Sequence, residues 1–156
     1  MVFCTILLFF ILVNGVLALL IRSLPSKLFD ETRRLYRVIP CEKRLYKKLK
    51  IYHWKNILPQ AGWMTGFSRK QLPKTIKLTY VEKFIWEICC SMFGHTIMAL
   101  MGLLAPLLAF FPWMDGNKEL LWGLGILHFI IQLLYVMIQR YNLPRFIKIK
   151  ERLSIT

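Results

Sequence analysis

Three apolar stretches, each long enough to cross a bilayer, constrain this chain more than anything else in its sequence. A helical crossing takes roughly 20 apolar residues. Met1 to Ile21 is interrupted only by Asn14 and Gly15; a second run extends from about Ile88 to Trp113, and a third from about Leu120 to Ile138. Asp115-Gly116-Asn117-Lys118-Glu119, following Pro112, is a turn-type connection that makes the second and third an antiparallel pair. With 56% hydrophobic residues, the chain exceeds the apolar share of a soluble domain. It also carries a net charge of +14. A small nucleic-acid binder concentrates charge without long apolar runs, so no nucleic-acid partner is expected. The expected fold class is an all-α integral membrane protein, with three transmembrane helices and a basic amphipathic cytoplasmic loop.

Basic residues set the expected orientation. Residues 22–87 hold 16 of the 22 Lys and Arg, the tail after Ile138 holds 5, and Lys118 alone lies in the short connection. The N-terminus is therefore expected outside, with the main loop and C-terminus cytoplasmic. The domains follow: an anchor at 1–21, a basic interfacial loop at 22–87, a helical hairpin at 88–138 and a basic tail at 139–156. A cleaved signal peptide, with Val16-Leu17-Ala18 as its site, is the rival for the first span. It lacks a positive n-region, and cleavage would leave 16 basic residues outside.

Within the loop, Leu28, Leu35 and Ile39 recur at helix-like spacing, and Pro40 interrupts. Leu45, Leu49 and Tyr52 then form an apolar stripe beside Lys43, Lys47, Lys48 and Lys50, ended by Pro59. Such segments lie on the anionic inner leaflet or form solvated faces of a loop domain. Trp54 to Leu72 mixes aromatics and glycines between prolines and reads as an irregular loop. Thr79-Tyr80-Val81-Glu82 fits a capping box opening a helix near Tyr80, and Pro106 should kink that helix. The four cysteines lack metal-ligand spacing; Cys89-Cys90 reads as small apolar packing.

Helical spacing gathers Glu87, Ser91 and His95 on one face of the second span. It gathers His128, Gln132, Tyr135 and Gln139 on one face of the third. Two such stripes on neighbouring antiparallel helices are expected to meet, with Asn14 a third contributor. They serve either as interhelical glue or as the lining of a polar site. Glu87 and His95 lie roughly 12 Å apart along the axis, at 1.5 Å per residue, so they cannot hydrogen-bond directly, though Ser91 can link them. His53, in Tyr52-His53-Trp54-Lys55, is a candidate general base or a surface histidine.

Where the third span ends stands Gln139-Arg140-Tyr141-Asn142-Leu143-Pro144-Arg145. The positive-inside rule explains its charges but not Gln139, Tyr141 and Asn142. This run resembles the QRYNRPR of the glycosyl-4,4'-diaponeurosporenoate acyltransferase family of small bacterial membrane proteins, with Leu143 in place of the second arginine. That family's glutamate, second glutamate five residues on and histidine three beyond are matched by Glu82 and Glu87, with Cys90 where the histidine would be. Trp54-Lys55 resembles its tryptophan-lysine loop.

The resemblance implies transfer of a fatty acyl group to a sugar hydroxyl of a membrane lipid, as in the last step of a staphyloxanthin-type pathway. Catalytic candidates are Glu87, His53, His95 and Arg140. Substrate-binding candidates are Trp54, Lys55, Glu82, Ser91, Gln139, Tyr141, Asn142 and Arg145. No cofactor or metal is expected; acyl-CoA or an acyl-carrier protein is the donor, and its phosphates fit Arg145 and the cytoplasmic lysines. Expected partners are a lipid or glycolipid acceptor, anionic inner-leaflet lipids, and a second copy or a membrane partner protein. The alternative is a non-catalytic subunit supporting another membrane enzyme or transporter.

Overall fold

The computed structural model describes residues 2–58, 76–111 and 117–155, and no strand occurs among them. The helices are α1 (Val2–Arg22), α2 (Pro40–Lys48), α3 (Ile51–Trp54), α4 (Leu78–Leu103) and α5 (Lys118–Ile155), with 3-10 turns at Ser26–Phe29 and Ala105–Phe110. Phe3–Arg22, α4 and α5 are long and apolar enough to cross a membrane. The chain is thus an all-helical membrane protein with three candidate spans, as its apolar runs required. The loop expected from Trp54 to Leu72 lies outside the described residues from position 59 onward. So do Trp113 and the Asp115-Gly116 part of the turn.

Helix boundaries depart from expectation in ways that proline chemistry explains. The helix expected to kink at Pro106 instead stops at Leu103, and Pro106 opens a 3-10 turn. A proline lacks the N–H of a helix interior and its ring crowds the carbonyl four residues back. Pro144 does the opposite and sits inside α5. The run expected as a tail beyond the third span is therefore helical. At 1.5 Å per residue, the 38 residues of α5 extend about 57 Å, nearly twice a hydrocarbon core of about 30 Å. The part beyond Ile138 must leave the apolar layer. At the other end of the hairpin, Tyr80 and Val81 donate their backbone N–H groups to the Lys77 carbonyl. Thr79 is thus inside α4, and Glu82 is not a capping-box partner.

The chain divides into two compact units, Met1–Leu24 with Phe93–Val136, and Pro25–Met92 with Met137–Thr156. In the first, Ile6 and Phe10 of α1 pack with Ala105 and Leu121. α4 and α5 come into backbone contact at two glycines, Gly102 and Gly125. A Cβ on Gly102 would stand 2.9 Å from the Gly125 carbonyl oxygen, and a Cβ on Gly125 would collide with the Gly102 carbonyl. Small residues admit such contacts between membrane helices. Leu8, Leu12, Leu19 and other apolar side chains of α1 are exposed, as lipid-facing residues must be.

In the second unit the antiparallel register is written in three pairs: Ser91 with Gln139, Phe84 stacked on Phe146 at 4.3 Å, and Glu82 with Lys150 at 3.8 Å. Residues 30–39 are turns rather than the expected amphipathic helix. The Asp30 carboxylate accepts from both the backbone N–H and the hydroxyl of Thr32, and this local bonding competes with the helical ladder. Pro40 does not interrupt a helix but starts α2, where its missing N–H costs nothing. Lys50, in the left-handed region at φ 49°, breaks α2 from α3. That break turns Ile51 inward beside Tyr46 and Ile138. Cys89 and Cys90 are buried and form no disulfide, consistent with packing.

The glycine contact yields a direct test. Gly125→Ala should destabilise the first unit by about 1–3 kcal/mol through overpacking. Gly123→Ala, with nothing within 4 Å of its Cβ, should be neutral. Denaturant unfolding in detergent micelles distinguishes the two; equal effects would mean the helices do not meet at Gly125.

Candidate functional site

Residues 139–142 occupy little more than one turn of α5, each rotated about 100° from the last. Each therefore addresses a different neighbour. Gln139 donates from Nε2 to Ser91 Oγ of α4 at 3.1 Å. Arg140 turns to the segment leading into α2. Its Nε and Nη2 reach the two Glu42 carboxylate oxygens at 2.7 Å each, and Nη1 and Nη2 donate to the carbonyls of Leu35 and Arg37, also at 2.7 Å. Tyr141 faces α3, and buried Asn142 donates to the Ile138 carbonyl of its own helix at 2.6 Å.

Arg140 is thus a clamp between elements. Four of the guanidinium's five N–H donors are taken, and the expected contact with substrate has only the remainder to use. Tyr46 completes the clamp by donating its hydroxyl to Glu42 at 2.8 Å. Burial pushes the Glu42 carboxyl up, but the hydrogen bonds from Arg140 and Tyr46 and the guanidinium charge outweigh it. The net position is below the ordinary 4.5. Tyr46 is pushed up to about 12, first by burial and then by the carboxylate it serves. A bidentate, charge-assisted pair with a third donor is among the stronger polar arrangements available to a protein.

A second cluster surrounds Tyr141. Arg145, one turn on, donates to the Tyr141 hydroxyl at 2.5 Å with its guanidinium carbon 4.4 Å from the ring centroid. Lys55 Nζ stands 5.2 Å from the same centroid. Trp54 packs beside Tyr141 in the Tyr46–Ile51–Ile138 core, and its indole N–H caps the Leu49 carbonyl at 2.9 Å. Trp54-Lys55 and Tyr141-Arg145, far apart in sequence, are brought together as one cationic, aromatic patch. His53 is exposed against Tyr52.

On α4, Glu87 is half-buried one turn before Ser91, the residue that Gln139 holds. Glu82 is on the exposed side near Lys150, whose main partner is Glu31 at 2.9 Å. In the other unit, His95 Nδ1 lies 2.6 Å from Gln132 Oε1, and its ring stacks on Tyr135 at 4.7 Å. The two polar stripes therefore meet, rung by rung. His128 stacks on Phe10 at 4.5 Å, and Asn14 makes none of these contacts.

Glu42 and Tyr46 were not recognisable as site residues from helical stripes. The signal available was that Glu42 is the one carboxylate between Arg33 and Lys55.

A family model described as glycosyl-4,4'-diaponeurosporenoate acyltransferase matches residues 25–152. No curated protein and no solved structure matches the chain.

Removing either half of the clamp should cost about 1.5–3 kcal/mol, the range for hydrogen bonds to charged groups. In a double-mutant cycle, Glu42→Gln and Arg140→Gln together should cost clearly less than their sum; additive losses would mean the pair does not couple. The pH dependence has a definite sign. The Glu42 contribution is complete above 4.5 and is lost as pH falls through its lowered folded value, and Glu42→Gln should remove that part of the acid limb. The Tyr46 contribution is complete below 10 and is lost as pH rises from 10 toward 12, and Tyr46→Phe should flatten that alkaline limb of the unfolding profile.

Proposed function

The chain belongs to the glycosyl-4,4'-diaponeurosporenoate acyltransferase family, and from that premise we propose that it transfers a fatty acyl group onto a sugar hydroxyl of a glycosylated, carotenoid-like membrane lipid. Membership carries the reading: the match extends over the stretch that contains Glu42, Glu87, Ser91 and the Gln139–Arg145 run.

In the proposed reaction the sugar oxygen bonds to the acyl carbonyl carbon as the carbon–sulfur bond of a thioester donor breaks. The hydroxyl proton passes to Glu87 and from there to the departing thiolate. A carboxylate suits this task when it is partly removed from water and within reach of the acceptor. Ser91 accepts a hydrogen bond from Gln139 and keeps its own proton to give, so this pair orients the acceptor beside Glu87. His53 is exposed against Tyr52, and His95 is engaged with Gln132, so neither is assigned the base. Lys55 and Arg145, both at the Tyr141 ring, receive the phosphates of acyl-CoA or of an acyl-carrier protein. The donor then approaches from the basic side, taken as cytoplasmic, with the N-terminus outside. Arg140 and Glu42 act through position, by holding α2 and α3 so that Lys55 reaches Tyr141.

Purified protein in proteoliposomes, supplied with a glycosylated lipid and a fatty acyl-CoA, should form the acylated lipid, read by mass spectrometry. Glu87→Gln should lower the rate by about 100-fold or more, the scale of general base catalysis, and Ser91→Ala by less. Unchanged turnover in Glu87→Gln would remove the proposed base. No turnover by the native protein, restored by a second membrane protein, would point to the supporting-subunit reading.

A further inference from the structure

We propose that α2 and the turn into α3 form a ledge seated on the bilayer surface, apolar flank in the acyl boundary and lysines on anionic headgroups. Glu42 and Tyr46, one turn apart, point inward to Arg140 and the core. Arg44, Lys47 and Lys48 lie on the opposite side, all exposed. Glu42 is the only acid on this helix, and Arg140 consumes it, so the outward charge has no internal counter-ion on α2.

Between the inward and basic faces runs a third strip. Leu45, Leu49 and Tyr52 are 48%, 43% and 63% exposed, although they were the expected apolar stripe of this segment. A soluble helix would turn such a strip to the core, but here the core takes Tyr46 and Ile51 instead. Exposed leucines beside lysines, on a short helix of low overall hydrophobicity, are the signature of an interfacial helix rather than a spanning one.

Height along α5 supports the same occupant. The clamp fixes α2 at Arg140, two residues past Ile138, where the apolar run of α5 gives way to polar residues. That is the level of the headgroups if α5 crosses with its apolar part in the hydrocarbon. Lysine and arginine near an anionic leaflet are attracted within a Debye length, and their stems cover apolar surface while their charges stay in water.

The test uses the full chain in vesicles, with Cys4 and Cys41 replaced by serine and single spin labels placed through Leu45→Cys, Leu49→Cys or Lys47→Cys. Vesicles are phosphatidylcholine alone or mixed with phosphatidylglycerol, and circular dichroism checks that helix content is retained. With phosphatidylglycerol, labels at 45 and 49 should be more accessible to oxygen than to a water-soluble nickel chelate, and the label at 47 the reverse. In phosphatidylcholine alone, or at high salt, the ratio at 45 and 49 should fall toward that at 47. Nickel access at 45 and 49 in both vesicles would overturn the proposal. So would exclusion of both reagents, which marks a protein-covered surface. Lipid access that ignores headgroup charge would overturn the assignment to anionic lipid.

Discussion

The charge pair between Arg140 and Glu42 is the interaction on which the second unit depends. Beside it, the core of Tyr46, Ile51 and Ile138 packs the segment from Leu35 to Trp54 against α5. In the pair, a guanidinium binds one carboxylate through two donors and reads two backbone carbonyls of the same segment. One side chain thus holds the segment at three points, Leu35, Arg37 and Glu42. A lysine there could not reproduce the arrangement, because an ammonium has no planar fork.

This places the Gln139–Arg145 run in a different light from a simple ligand-binding motif. Consecutive residues on a helix point in different directions, so a run of four faces several neighbours at once. It can converge several elements on one helix. Gln139 takes α4, Arg140 takes the lead-in to α2, Tyr141 takes Lys55 after α3, and Asn142 bonds back to α5 near Pro144. The chemistry we assign to Glu87, Ser91 and the Lys55–Tyr141–Arg145 patch is built around that hub. The residues most recognisable in the sequence are largely those that hold the site together.

Much of this was legible beforehand, for identifiable reasons. Three apolar runs gave the all-α class, and the 3.6-residue period placed Ser91 and Gln139, and His95 and Gln132, on faces that do meet. Other features resisted. Pro144 marks a helix end in most sequences but lies inside α5, and Pro106 ends a helix it was expected only to bend. Leu28, Leu35 and Ile39 have helical spacing, yet a two-residue Asp30–Thr32 turn overrides it. Glu42 was invisible to stripe counting because its partner lies 98 positions away. Gly102 and Gly125 carry no pattern that reveals which glycines touch.

The central claim is that this chain acylates a glycosylated membrane lipid. It is tested most directly by comparing lipid extracts, by high-resolution mass spectrometry, from the native organism with and without the gene. The deletion should lose a glycolipid and build up a species lighter by one fatty acyl group, reversed when the gene is restored. An unchanged lipid profile, in cells shown to make the protein, would contradict it.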